Sequence, residues 1–102
     1  MDPTTAPVAV ILEGRIAPGE EAAFHAWCDE NLGDTRGWEG CFSCELYTSA
    51  DDPEAFTILE YWRAQEDHQA YGAWRAGNGS SAAFAALLDG PPSVRYVVRP
   101  TA

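Results

Sequence analysis

Glu60 and Trp62 lie two residues apart in the alternating run Thr57-Ile58-Leu59-Glu60-Tyr61-Trp62, and a strand with this pattern points both side chains to one face. A carboxylate beside an indole sets an acid or base next to a flat apolar surface, which suits a pocket for a small aromatic molecule. The residues that follow, Ala64 to Arg75, read as a helix whose three- and four-residue steps bring His68, Tyr71 and Arg75 to one face. His68 titrates near neutral pH, and a tyrosine hydroxyl such as that of Tyr71 can donate a hydrogen bond to developing negative charge. Trp62, Tyr71 and Trp74 are the candidate walls of the slot, although tryptophans more commonly serve as core. Glu60 likewise has a structural alternative, as a buried acid tied to Arg15 or Arg95. His25, spaced helically between Glu21 and Asp29, reads as a solvated, ion-paired residue.

A second constellation involves metal chemistry. His25-x-x-Cys28 and Cys41-x-x-Cys44 have the ligand types and number of a zinc site. Against it, Cys41 and Cys44 fall on an expected strand at an odd offset, which would send them to opposite faces, and no glycine of a zinc knuckle separates them. The H-x-E element of zinc deaminases is also missing. The three cysteines therefore read as small buried hydrophobes in a reducing compartment, with no metal.

The elements that must position these groups follow from the hydrophobic pattern. Val8 to Ile16 is a β-rich run ended by Ala17-Pro18-Gly19, after which Glu20 and Glu21 open a helix expected to run to about Leu32 and to end near Gly33. Phe24, Trp27, Cys28 and Leu32 form its buried stripe. Cys41 to Thr48 and Ala55 to Arg63 are the arms of an antiparallel hairpin, with Ser49 to Glu54 as its turn. After the helix that carries His68, Gly77-Asn78-Gly79 interrupts the chain. A shorter helix with Phe84, Leu87 and Leu88 inward follows, and Ser93 to Arg99 makes a last strand.

The order β-α-β-β-α-α-β is the ferredoxin-like split arrangement, an α+β fold with a four-stranded antiparallel sheet. Residues 1–7 read as a flexible leader, 8–99 as the single domain and 100–102 as a tail. Val8, Val10 and Leu12 are apolar on one side of the first strand, and Ala9 and Ile11 on the other, so both sheet faces need cover. Helices supply one cover, and a second copy of the sheet is expected to supply the other, in a homodimer.

The formal charge is -10, all six bases are arginine and there is no lysine, which removes Schiff-base and Walker-lysine chemistry. Such an acidic surface repels nucleic acid and anionic lipid, so the charge points to a neutral organic molecule, or protein, as partner. No long apolar run marks a membrane span, and cytoplasmic location is the expectation.

Taken together, these residues resemble the antibiotic biosynthesis monooxygenase family, whose members are dimeric α+β barrels. The likeness runs from Val8 to Val98. It includes Ala17-Pro18-Gly19-Glu20-Glu21-Ala22-Ala23-Phe24 at the helix start, Gly40-Cys41, Tyr47, Asp52-Pro53, Phe56, and Leu59-Glu60-Tyr61-Trp62 at the place of the family's E-x-W. Many such proteins have a histidine nine residues after that tryptophan and another just before the last helix's phenylalanine; here Tyr71 and Ala83 stand there. The resemblance implies oxygenation of a phenolic, quinol or polycyclic aromatic compound by molecular oxygen without metal, flavin or haem. A deprotonated phenol or enol can itself give oxygen an electron. By the E-x-W motif Glu60 and Trp62 carry over, whereas the family's helical histidines do not, and His68 is the nearby substitute. The candidate catalytic groups are then Glu60, His68 and Tyr71, and the candidate substrate contacts Trp62, Trp74 and Phe56. Two other functions open to the same fold are a cyclase-like or non-catalytic aromatic binder and a haem-handling protein, for which only His25 or His68 could be the axial ligand.

Overall fold

In the computed structural model, which describes residues 2–100, four antiparallel strands form one sheet in the order β2-β3-β1-β4. They are β1 (Val8–Arg15), β2 (Cys41–Ser49), β3 (Asp52–Trp62) and β4 (Ser93–Val98). Helices α1 (Glu21–Arg36), α2 (Gln65–Gly77) and α3 (Ser80–Ala85) complete the ferredoxin-like α+β arrangement expected from the sequence. Met1, Thr101 and Ala102 lie outside the described residues, and with them part of the expected leader and tail. Pro3–Thr5 form a single 3-10 turn capped by the Asp2 side chain, and Ala6 is buried. Arg99 donates to the carbonyls of Ala6 and Thr4, tying the segment to the far end of the chain.

The sheet places its apolar residues by parity. Val8, Val10, Phe56, Ile58, Trp62 and Cys44 are all buried on the face toward the helices. Register aligns Val10 with Glu60 on one side and Tyr96 on the other, and Glu60 in turn with Cys44. The carboxylate therefore lies in the middle of the sheet's inner face.

Two boundaries differ from expectation. Helix α1 continues one turn beyond Gly33 and is closed by Gly37, whose N–H meets the Gly33 carbonyl. Gly33 is exposed, and the roughly 1 kcal/mol that an interior glycine costs is offset by what the extra turn places. Thr35 is buried there, and Arg36 Nε donates to the Cys44 carbonyl at 2.8 Å. The hairpin turn is also tighter than expected, because Asp52 pairs with Ser49 and also holds Arg15 at 2.8 Å.

The parity argument for the cysteines fails for an identifiable reason. A bulge between Cys41 and Ser43 adds one residue to β2, so Cys41 and Cys44 are both buried instead of facing opposite ways. No group of His, Cys, Asp and Glu among the described residues converges in a way that could hold a metal, and His25 is exposed on α1. Burial pushes the Cys28 thiol up to about 11 and that of Cys41 up to about 12, and raises Cys44 as well. Thiols so shifted carry almost no thiolate at neutral pH. Ellman's reagent should therefore leave the three cysteines of the native protein unmodified and titrate all three after denaturation. Stoichiometric labelling of the native state would contradict this packing.

Candidate functional site

Between the inner face of the sheet and helices α2 and α3 lies a cavity of about 240 Å³. Its apolar wall includes Val10, Leu12, Ile58, Phe84 and Val94. Its polar wall is made of Glu60, His68, Tyr71 and Arg75, with Ser81 beside them. The face of α2 expected from the sequence thus meets the acid on β3. Acids Glu66 and Asp67 in the first turn of α2 and Arg75 in its last suit the helix dipole.

Glu60 is 4% exposed and its neighbours define its chemistry. Trp62 Nε1 donates to Glu60 Oε1 at 2.8 Å, an interaction that the two-residue spacing on one strand face makes available. His68 Nε2 lies 3.6 Å from the same oxygen. Burial raises the carboxyl to about 7, against the opposing pull of the indole bond and the charge of Arg75. His68 is shifted down by burial, and its Nδ1 lies 2.7 Å from the Tyr96 hydroxyl. A chain of polar groups therefore runs from Trp62 through Glu60 and His68 to Tyr96, toward the β4 edge. Neither Arg15 nor Arg95 ties Glu60, since Arg15 is engaged with Asp52 and Glu54.

Tyr71 and Arg75 form a second cluster. Arg75 Nε donates to Tyr71 Oη at 2.5 Å, and Tyr71 Oη is 2.5 Å from Thr35 Oγ1. The phenol oxygen accepts from Arg75 and shares its second hydrogen bond with Thr35, in which either hydroxyl can be the donor. The hydroxyl is therefore fully engaged within the protein, and burial raises it above the usual tyrosine range.

The aromatic residues divide. Trp62 is completely buried, stacked at a tilt on Tyr71 and edge-on to His68, and it supports the wall from behind. Trp74 is 38% exposed and pairs with Trp38. Phe56 packs on Phe24 and Phe84 in the core. None of these three is part of the cavity lining, whereas Glu60, His68 and Tyr71 are. Thr35 and Tyr96 belong to the site or its supports and were not singled out by sequence, and Trp27, which lines the cavity, was read only as part of the buried stripe of α1. For Tyr96 a signal existed: it shares strand parity with Val94 and Val98.

The structure is that of a ferredoxin-like α+β domain whose cavity carries one buried acid and one buried cation. The sequence profile of the antibiotic biosynthesis monooxygenase family matches residues 7–88, and the chain belongs to that family. Rv0793 of Mycobacterium tuberculosis is 38% identical over 61 residues, a match that spans 60% of this chain and 59% of that protein. The solved structure of Rv0793 superposes with a TM-score of 0.81 at 27% identity, covering 95% of this chain and 98% of that one. A conserved protein of Methanosarcina mazei superposes with a TM-score of 0.86 at 17% identity, covering 96% and 97% of the two chains, which shows the shared fold.

Raising the Glu60 carboxyl has a signed consequence for stability. The unfolded chain releases this proton near 4.5 while the native protein keeps it until about 7. The stabilising contribution is therefore complete below the unfolded value and is lost as pH rises through the native one, on the order of 3 kcal/mol in all. Glu60→Gln, which can still accept from Trp62, should be more stable than wild type above pH 7 and should lose this fall in stability between pH 4.5 and 7. Urea unfolding across that window checks it; parallel pH profiles for the two proteins would contradict it.

Proposed function

We propose that this protein is a monooxygenase that oxidises a compact phenolic or quinol-like aromatic molecule with molecular oxygen. The observation that carries the reading is the buried acid Glu60 paired with the part-buried His68 in the wall of an otherwise largely apolar cavity. A phenol with a free para carbon needs first to lose its proton, and a carboxylate titrating near neutrality is matched to that transfer. The phenolate then gives an electron to oxygen, the two radicals combine at the para carbon, or in a quinol at the free carbon beside the C–O, and loss of water leaves the quinone or hydroxyquinone. One oxygen atom enters the product, the other leaves as water, and the substrate supplies all the electrons. Glu60 takes the proton, His68 passes it toward Tyr96, and Tyr71 acts by holding Arg75 in place. The family membership supports the reaction type.

The reading extends to assembly as a homodimer. The molecule measures 45 × 33 × 20 Å, a sheet with helices on one side only. On the opposite sheet face Ala9, Ile11, Leu59, Tyr61 and Val97 border a shallow apolar depression. A second copy of the same face is the cover that suits it.

Oxygen consumption with a panel of naphthols, quinols and anthrones, without added metal or flavin, tests the activity. Glu60→Gln and His68→Ala should lower turnover about tenfold to a thousandfold, and Tyr71→Phe about tenfold, with folding retained. Uptake equal in wild type and all three variants would contradict the assignment, and tight binding without uptake would favour a cyclase-like aromatic binder. Light scattering at micromolar concentration should give twice the chain mass, falling to one chain mass for Leu59→Glu; a monomeric wild type would overturn the dimer.

A further inference from the structure

Arg75 is the one strongly charged side chain whose burial the proposed proton transfer leaves unexplained. It is 4% exposed, yet no carboxylate among the described residues forms an ion pair with it. A cation removed from water without an anionic partner is costly, and the protein offsets that cost in two ways. The guanidinium carbon sits 5.1 Å from the ring centre of Tyr71 and 5.2 Å from those of Trp27 and Trp74, within cation–π range of all three. Its N–H groups donate to Tyr71 Oη, to the Asn31 carbonyl at 2.6 Å, to Thr35 Oγ1 at 3.3 Å and to Ser80 Oγ at 3.4 Å.

These contacts hold the fork unevenly. A guanidinium has five N–H donors, and the protein engages four of them. The Nε and both Nη2 hydrogens meet protein oxygens, whereas Nη1 has only the long contact to Ser80, which leaves one of its two hydrogens over. Arg75 also forms part of the cavity wall, one helical turn beyond Tyr71. A fixed, partly unsatisfied cation facing a largely apolar space is suited to an anion that arrives with the ligand.

We propose that Arg75 is an anion subsite of this cavity, which takes an oxygen anion carried on an aromatic ring. The assignment rests on the reading of the cavity as the substrate site, and it narrows the substrate class to aromatic molecules that are anionic when bound. The anion can be the ring oxygen itself, as phenolate, or a carboxylate substituent. In either case Tyr71, Thr35 and Asn31 keep the guanidinium in place and its remaining donor meets the ligand. Arg75 then has a part distinct from that of Glu60: the acid receives a proton and the cation holds the charge left on the ring.

Calorimetric binding of naphthoate and of its neutral isostere naphthamide at about pH 6 tests the subsite without reference to turnover. A charge-assisted hydrogen bond should make naphthoate about tenfold to a hundredfold the tighter ligand of the wild type. Arg75→Gln should bring the two within about twofold, and Arg75→Lys should retain part of the preference. Absorbance titration of bound naphthol separates the two sources: a lowered ligand pKa assigns the ring oxygen, and naphthoate preference without that shift assigns a carboxylate substituent. Equal binding of naphthoate and naphthamide by the wild type together with an unshifted naphthol pKa overturns the proposal, whatever the fate of the variants. So does an undiminished naphthoate preference in folded Arg75→Gln. Absence of oxygen uptake by the wild type would overturn the monooxygenase reading instead, since binding selectivity is read separately.

Discussion

The arrangement of this molecule depends on one buried carboxyl group. Glu60 lies on the inner face of the central strand pair, where aliphatic residues would ordinarily be expected, and its burial is what moves its titration to about 7. Trp62 limits the cost by donating its indole hydrogen at 2.8 Å, which favours the ionised form and restrains the rise. The packing around this pair follows from it. His68 sits edge-on to the indole and within reach of the acid, and Tyr71 packs on the same indole beside it. A purely apolar side chain at position 60 would pack at least as well, so the acid has a cost in stability above neutral pH that a structural role alone does not explain.

The second buried charge complements the first. Arg75 is held by aromatic faces and by the side chains and carbonyl of α1, so the end of α1 and the end of α2 are joined through one guanidinium. Two ionisable groups of opposite sign, each with its own supports and not directly paired, face one small cavity. In the proposed function the first is the acceptor of protons and the second the stabiliser of negative charge. The reading of this chain as an oxygenase of compact aromatics is built on that division, with membership of the antibiotic biosynthesis monooxygenase family in support.

Much of this was legible in the sequence because it depends on periodicity. The split β-α-β-β-α-β order, the shared face of Glu60 and Trp62, and the stripe of His68, Tyr71 and Arg75 all follow from repeats of two and of three to four residues. What escaped depends on contacts between elements distant in sequence. Thr35 was hidden because Gly33 reads locally as a stop, while packing of the following turn carries the helix past it. The bulge at Cys41 and Ser43 reverses the parity of one cysteine, and no local residue pattern announces it. Trp74 and Phe56 looked like walls by type, but whether a ring faces a cavity or a neighbouring ring is settled only by packing, and here Trp38 and Phe24 occupy those faces.

The most direct test of this account is the titration of Glu60 itself. Following its side-chain carboxyl carbon by NMR in protein labelled at glutamate, with Glu60→Gln to assign the signal, should give a midpoint near 7. The His68 ring signals should respond in the same range, because the two groups lie 3.6 Å apart. A midpoint in the ordinary carboxylate range, near 4.5, would mean that the acid is solvated and fully ionised at neutral pH, and the proton-accepting role assigned to it would fall.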